Sequence, residues 1–137
     1  MTTHVAIVPK WVRIVLGLLA LANIAFGISG YFNMGGLFHD LTNIDVNNAA
    51  IKFGSYEFAA RNLAIGLALG IVSLRGVPES ITIVTIIRAL IELQSVIIGF
   101  ATGNINAGVA VAVVIFALEL FIIKTMIGVI AKRDAQK

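Results

Sequence analysis

The sequence predicts an all-α integral membrane protein, a four-helix up-down-up-down bundle forming a single domain over 1–137. Three observations predict it. Hydrophobic residues make up 59% of the 137-residue chain and charged residues only 12%, whereas a soluble domain carries charge on about a quarter of its residues. Mean hydropathy is +1.01. The polar residues are also clustered, so that they punctuate four long, largely apolar segments.

Helix 1 is expected at 10–32. Lys10, Trp11 and Arg13 place basic and aromatic side chains where headgroups would lie. The following stretch, Ile14–Phe32, runs for 19 residues without a charge, close to the ~20 needed to cross hydrocarbon. A cleaved signal peptide is the competing reading, with Lys10 and Arg13 as its basic region and Ala25-Phe26-Gly27 as its cleavage site. The apolar run outlasts the core of such a signal. Asn23 is the one strongly polar side chain inside this helix. An outer loop is expected at 33–54, with turns at Gly35-Gly36 and in the Asn-rich portion. Leu37, Phe38, Leu41 and Ile44 could lay part of it on the membrane surface.

Helix 2 is expected at 55–75, with Glu57, Arg61 and Asn62 in its first half and none of these residue types from Leu63 to Leu74. Gly66 and Gly70 form a small-xxx-small pair, which lets a second helix approach closely. Arg75-Gly76-Val77-Pro78 reads as a tight turn, Gly ending one helix and Pro opening the next. Helix 3 follows at 78–101, carrying Arg88, Glu92, Gln94 and Ser95, with a second small pair at Gly99 and Gly103. After an uncharged turn, helix 4 is expected at 106–130 with Glu119 inside it, and Lys132, Arg133, Asp134 and Lys137 form the tail.

Topology follows from the ten basic residues. Lys10, Arg13, Arg75, Lys124, Lys132, Arg133 and Lys137 fall at the end holding both termini and the 75–78 turn, while Lys52 stands alone at the other. The positive-inside rule then puts both termini in the cytoplasm and the 33–54 loop outside.

Arg61 and Arg88 are the remaining two basic residues, and both fall inside spans. A charge at bilayer depth costs roughly 2.5–3.5 kcal/mol on insertion scales, so it marks a functional site by default. At 1.5 Å per residue, Arg61 and Glu92 lie ~10 and ~13 Å from the outer surface, and Arg88 and Glu119 lie ~19 and ~21 Å from it. These matched levels, with the four-residue spacings Glu57–Arg61 and Arg88–Glu92, predict one ladder: Glu57–Arg61–Glu92–Arg88–Glu119. Two arginines against three glutamates leave one carboxylate in excess, and Glu119, the deepest, is the candidate acid. The expected ligand-binding set is Arg61, Arg88, Glu92, Asn62 and Asn23, with Glu92 and Glu119 as candidate catalytic acids. The plainer alternative is that the ladder only fixes helix pairing, the best-attested use of buried ionic groups.

Other chemistries find little footing. The absence of cysteine removes disulfides and thiolate chemistry. The net charge of +3 is spread over few basic residues in topological positions and does not point to nucleic acid. His39, Asp40 and Asp45 match no strong metal-ligand spacing, and the chain has no phosphate-binding Gly loop or nucleophile elbow. No metal and no cofactor is expected.

Ala60-Arg61-Asn62-Leu63-Ala64-Ile65-Gly66-Leu67-Ala68-Leu69 and the Arg88/Glu92 pair carry a resemblance. The chain is similar to small bacterial four-helix membrane proteins of the DoxX-like group, in which the helix 3 acid is often Asp rather than Glu. The resemblance implies a four-helix fold in the bacterial inner membrane and brings no reaction with it. Three functions remain open: binding of a lipophilic small molecule or lipid, alone or as an accessory subunit; a small intramembrane isomerase, cyclase or epoxide-opening enzyme; and a proton-coupled small exporter. A homo-oligomer through Gly66/Gly70 or Gly99/Gly103 fits any of them.

Overall fold

The computed structural model describes residues 7–32, 48–103 and 105–136. It contains four helices, α1 (Lys10–Phe32), α2 (Ala49–Arg75), α3 (Pro78–Ala101) and α4 (Ala107–Asp134), and no strand among the described residues. All four are long and apolar enough to cross a membrane. The described residues fall into two compact units, one within Ile14–Ile71 and one within Met1–Arg13 and Val72–Lys137.

The 14–71 unit is an antiparallel hairpin of α1 and α2, zipped by small residues. The buried positions of α1 in this unit are Leu16, Ala20, Asn23, Gly27 and Gly30, three or four apart, so they make a single stripe. Facing them on α2 are Ser55, Ala59, Gly66 and Leu69. The backbones come so close that a Cβ on Gly27 would lie 2.5 Å from Leu63 Cγ, and one on Gly66 would lie 2.8 Å from Ile24 Cγ1. Gly66 therefore serves the α1–α2 seam. The Ser55 hydroxyl donates to the Gly30 carbonyl (2.8 Å) and pins the far end of the hairpin.

Helix α2 begins six residues before the expected position 55. Asn48 explains the extension: its side-chain oxygen accepts from the Ala50 N–H at 2.9 Å, and its carbonyl accepts from the Lys52 N–H at 3.0 Å. That is helix N-capping. Gly54, the last residue of the expected loop, is carried inside the helix with nothing within 4 Å of its Cβ position. The surface segment through Leu37, Phe38, Leu41 and Ile44, and the His39, Asp40 and Asp45 group, lie outside the described residues.

In the second unit α3 and α4 pair antiparallel. The turn leading into it is as the sequence predicts. Gly76 adopts φ 65° and its N–H reaches the Val72 carbonyl (2.9 Å), while Pro78 opens α3. Arg13 closes the end of α2, donating from Nε to the Ser73 carbonyl (2.7 Å) and from Nη2 to the Leu74 carbonyl (2.9 Å). Helix carbonyls at a C-terminus lack intrahelical donors, and a guanidinium supplies them. Trp11 stacks on Phe121 with ring centroids 5.6 Å apart.

At the other end of the hairpin, Asn106 caps α4 by accepting from the Val109 N–H. Helix α4 runs four residues past the expected 130, and Arg133 in its last turn pairs with Glu79 in the first turn of α3 at 2.5 Å. Gly103 lies beyond the end of α3 at φ 69°, so Gly99 and Gly103 do not make a stripe on one helix.

Candidate functional site

The site is built on α3 and α4. The buried face of α3 runs through Ile81, Thr85 and Arg88, three or four residues apart, with Ala89 beside Arg88, and α4 answers with Ala112, Glu119, Ile122 and Met126. A hydrophobic seam of this kind has no water to solvate a charge, so an arginine on it must find acids. Arg88, 5% exposed, finds two. Its Nη2 meets Glu92 Oε1 at 2.9 Å, one turn along its own helix. Its Nη1 meets Oε1 of Glu119, which α4 holds fully buried. The depth matching of Arg88 with Glu119 and the i,i+4 spacing of Arg88 with Glu92 are both realised as ion pairs.

Two polar atoms in this cluster have no hydrogen-bond partner: Arg88 Nε, a donor, and Glu119 Oε2, an acceptor. With both acids ionised the cluster carries one positive and two negative charges. Its chemistry is therefore that of an incomplete hydrogen-bonding group. A hydroxyl, which donates once and accepts twice, has the capacity to serve both open atoms.

The rest of the expected ladder is not formed. Glu57 and Arg61 are both exposed, and neither makes an ion pair among the described residues. Arg61 instead lies over the Phe58 ring, 5.8 Å from its centroid, a cation–π distance. Gly54, Glu57, Phe58, Ala60 and Arg61 line an open surface hollow of about 410 Å³. The five-residue ladder thus reduces to the three-residue cluster, with Arg61 in a separate surface setting.

The two asparagines of the expected ligand set turn inward on their own helices. Asn23 donates its amide to the Leu19 carbonyl (2.7 Å) and Asn62 to the Phe58 carbonyl (2.8 Å). A short polar side chain on a helix reaches the carbonyl four residues back more easily than a neighbour. Ser95 does the same toward Ile91 (3.1 Å). Gln94, exposed on α3, makes no hydrogen bond among the described residues. Sequence reasoning missed Arg13 as a helix cap and Glu79 as the partner of Arg133. The signal for Glu79 was present: it opens α3 just as Arg133 closes α4, and the helices are antiparallel.

No family model, curated protein or solved structure matches this chain.

Proposed function

We propose that this chain is a multi-pass protein of the bacterial inner membrane that binds a lipophilic molecule or lipid through a polar group completing the Arg88–Glu119 cluster. The observation that carries this reading is the pair of buried, unpartnered atoms Arg88 Nε and Glu119 Oε2. A buried polar atom without a partner costs about 1–3 kcal/mol, so a ligand that satisfies both gains from each. The likeness of Ala60–Leu69 and of Arg88/Glu92 to the DoxX-like group supports the membrane setting and is silent on the ligand.

Purification in native lipid nanodiscs, followed by extraction and mass spectrometry, tests it. A hydroxyl- or headgroup-bearing lipophile is expected in near-stoichiometric amount with the wild type. It should fall at least about tenfold in an Arg88→Met, Glu92→Leu, Glu119→Leu triple variant that keeps its helical content, since each tenfold corresponds to ~1.4 kcal/mol. Identical lipid profiles from the two proteins would refute the reading.

Chemical turnover is the second reading: the unpartnered Glu119 Oε2 would take a proton from a substrate as a carboxylate, or give one when protonated. In that case Glu119→Gln retains the molecule and loses its conversion.

A further inference from the structure

The outward face of α3 carries a second pattern, opposite the ion cluster. Ile83, Ile87, Leu90, Gln94, Ile97 and Ala101 recur at spacings of four and three. That is the spacing a heptad seam requires, and Gln94 is what sets this stripe apart. The four aliphatic members in the middle and flanks of this stripe, Ile83, Ile87, Leu90 and Ile97, are between 48% and 59% exposed. Gln94 is exposed in their midst and makes no hydrogen bond among the described residues. It lies seven residues before the end of α3, ~10 Å in from that end. Other polar side chains on exposed or half-exposed apolar helix faces, Ser95 and Thr125, are satisfied by carbonyls of their own helices. Gln94 is not, and acyl chains offer it neither donor nor acceptor.

We infer that this stripe is the contact face of a parallel α3–α3 homodimer in which Gln94 of one copy hydrogen-bonds Gln94 of the other. Three features select a second copy as the occupant. A carboxamide holds both donors and acceptors, so it is complementary to itself. The bias of basic residues toward one end gives every copy the same orientation, so α3 meets α3 in parallel and each stripe residue faces its own equivalent at the same depth. A two-fold axis along the membrane normal then satisfies both amides at once and closes the assembly at two copies. A single polar residue in an otherwise aliphatic seam also fixes register, which six interchangeable apolar layers would leave loose. The small pairs at Gly66/Gly70 and Gly99/Gly103 are not needed for it: Gly66 is occupied by α1, and Gly103 is outside the helix.

Because the chain has no cysteine, disulfide trapping in membranes reads the interface without background. Single Leu90→Cys and Ile97→Cys variants are expected to form oxidised dimers, and Leu18→Cys and Val114→Cys, exposed on α1 and α4, are not. Energy transfer between labelled copies in phosphatidylcholine vesicles then gives the dimer dissociation constant. Gln94→Leu should raise that constant on the order of 5–30-fold, the range of interhelical amide bonds in model spans, while leaving the monomer's thermal unfolding unchanged, and Gln94→Asn should recover part of the loss. Equal trapping at all four positions, no trapping at Leu90→Cys and Ile97→Cys, or a Gln94→Leu protein that dimerises as tightly as the wild type would each overturn the inference.

Discussion

Arg88 stands between two acids, and its removal should be far more harmful than removal of the whole group. Arg88→Leu leaves Glu92 and Glu119 facing one another in an apolar seam. Breaking a buried pair in this way costs about 3–5 kcal/mol, whereas replacing every member by apolar residues of similar volume is often neutral. Unfolding by denaturing detergent in mixed micelles should therefore rank the Arg88→Met, Glu92→Leu, Glu119→Leu triple variant near the wild type and Arg88→Leu well below both. Equal loss in the single and triple variants would contradict this ordering. Arg13 is a milder case. Its two hydrogen bonds to Ser73 and Leu74 lie near the surface, and Arg13→Ala should cost about 1–2 kcal/mol, measured the same way, with Arg13→Lys recovering little because it lacks the planar fork.

At this scale the sequence was legible where geometry is local or where depth is counted along straight helices. Arg88–Glu92 follows from i,i+4 spacing, and Arg88–Glu119 from a rise of ~1.5 Å per residue. The asparagines were not legible, because their own backbone competes for their amides. Nor was Arg13, whose partners stand 60 and 61 residues away.

Among the elements, the α1–α2 seam depends on residues without side chains. A Cβ at Gly66 would meet the Ala20 carbonyl and Ile24 backbone N at 3.0 Å, and backbone does not swing aside. Gly66→Val should destabilise the hairpin by about 1–3 kcal/mol through overpacking. Gly54, on the same helix, has nothing within 4 Å of its Cβ position, and Gly54→Ala should stabilise α2 by up to about 1 kcal/mol. Thermal unfolding followed by helical circular dichroism checks the contrast, which fails if both changes act in the same direction. The bounds of α1 and α3 were legible from Lys10-Trp11 and from Gly76 and Pro78. The start of α2 was not legible because it is set by the Asn48 cap, six residues before Gly54, at which the expected loop ended.

For the whole molecule, the readable quantity is the asymmetry of charge. Lys10, Arg13, Arg75, Lys124, Lys132 and Arg133 lie in the unit of residues 1–13 and 72–137, and Lys52 belongs to the opposite end of α2. If the positive-inside bias governs, a membrane-impermeant maleimide applied to intact cells should label Lys52→Cys and leave Arg75→Cys unlabelled until the membrane is opened. Reversed labelling would invert the topology. Apolar length and composition made four spanning helices legible, since the bilayer demands them of any chain this hydrophobic. The surroundings of Arg88 Nε and Glu119 Oε2 depend on how side chains of two helices pack, and periodicity carries no record of that shape.

The tie between Arg88 and Glu119 bears on how the chain is made. Helix α3 arrives at the translocon with its cation already offset by Glu92, but α4 brings a lone acid that only α3 neutralises. Integration of the two as a joined hairpin, held by the few residues between Ala101 and Ala107, is the route that never exposes that acid to lipid by itself. An α4 emerging behind an Arg88→Leu α3 should thus linger beside the insertion machinery, since its Glu119 then has no cation to meet.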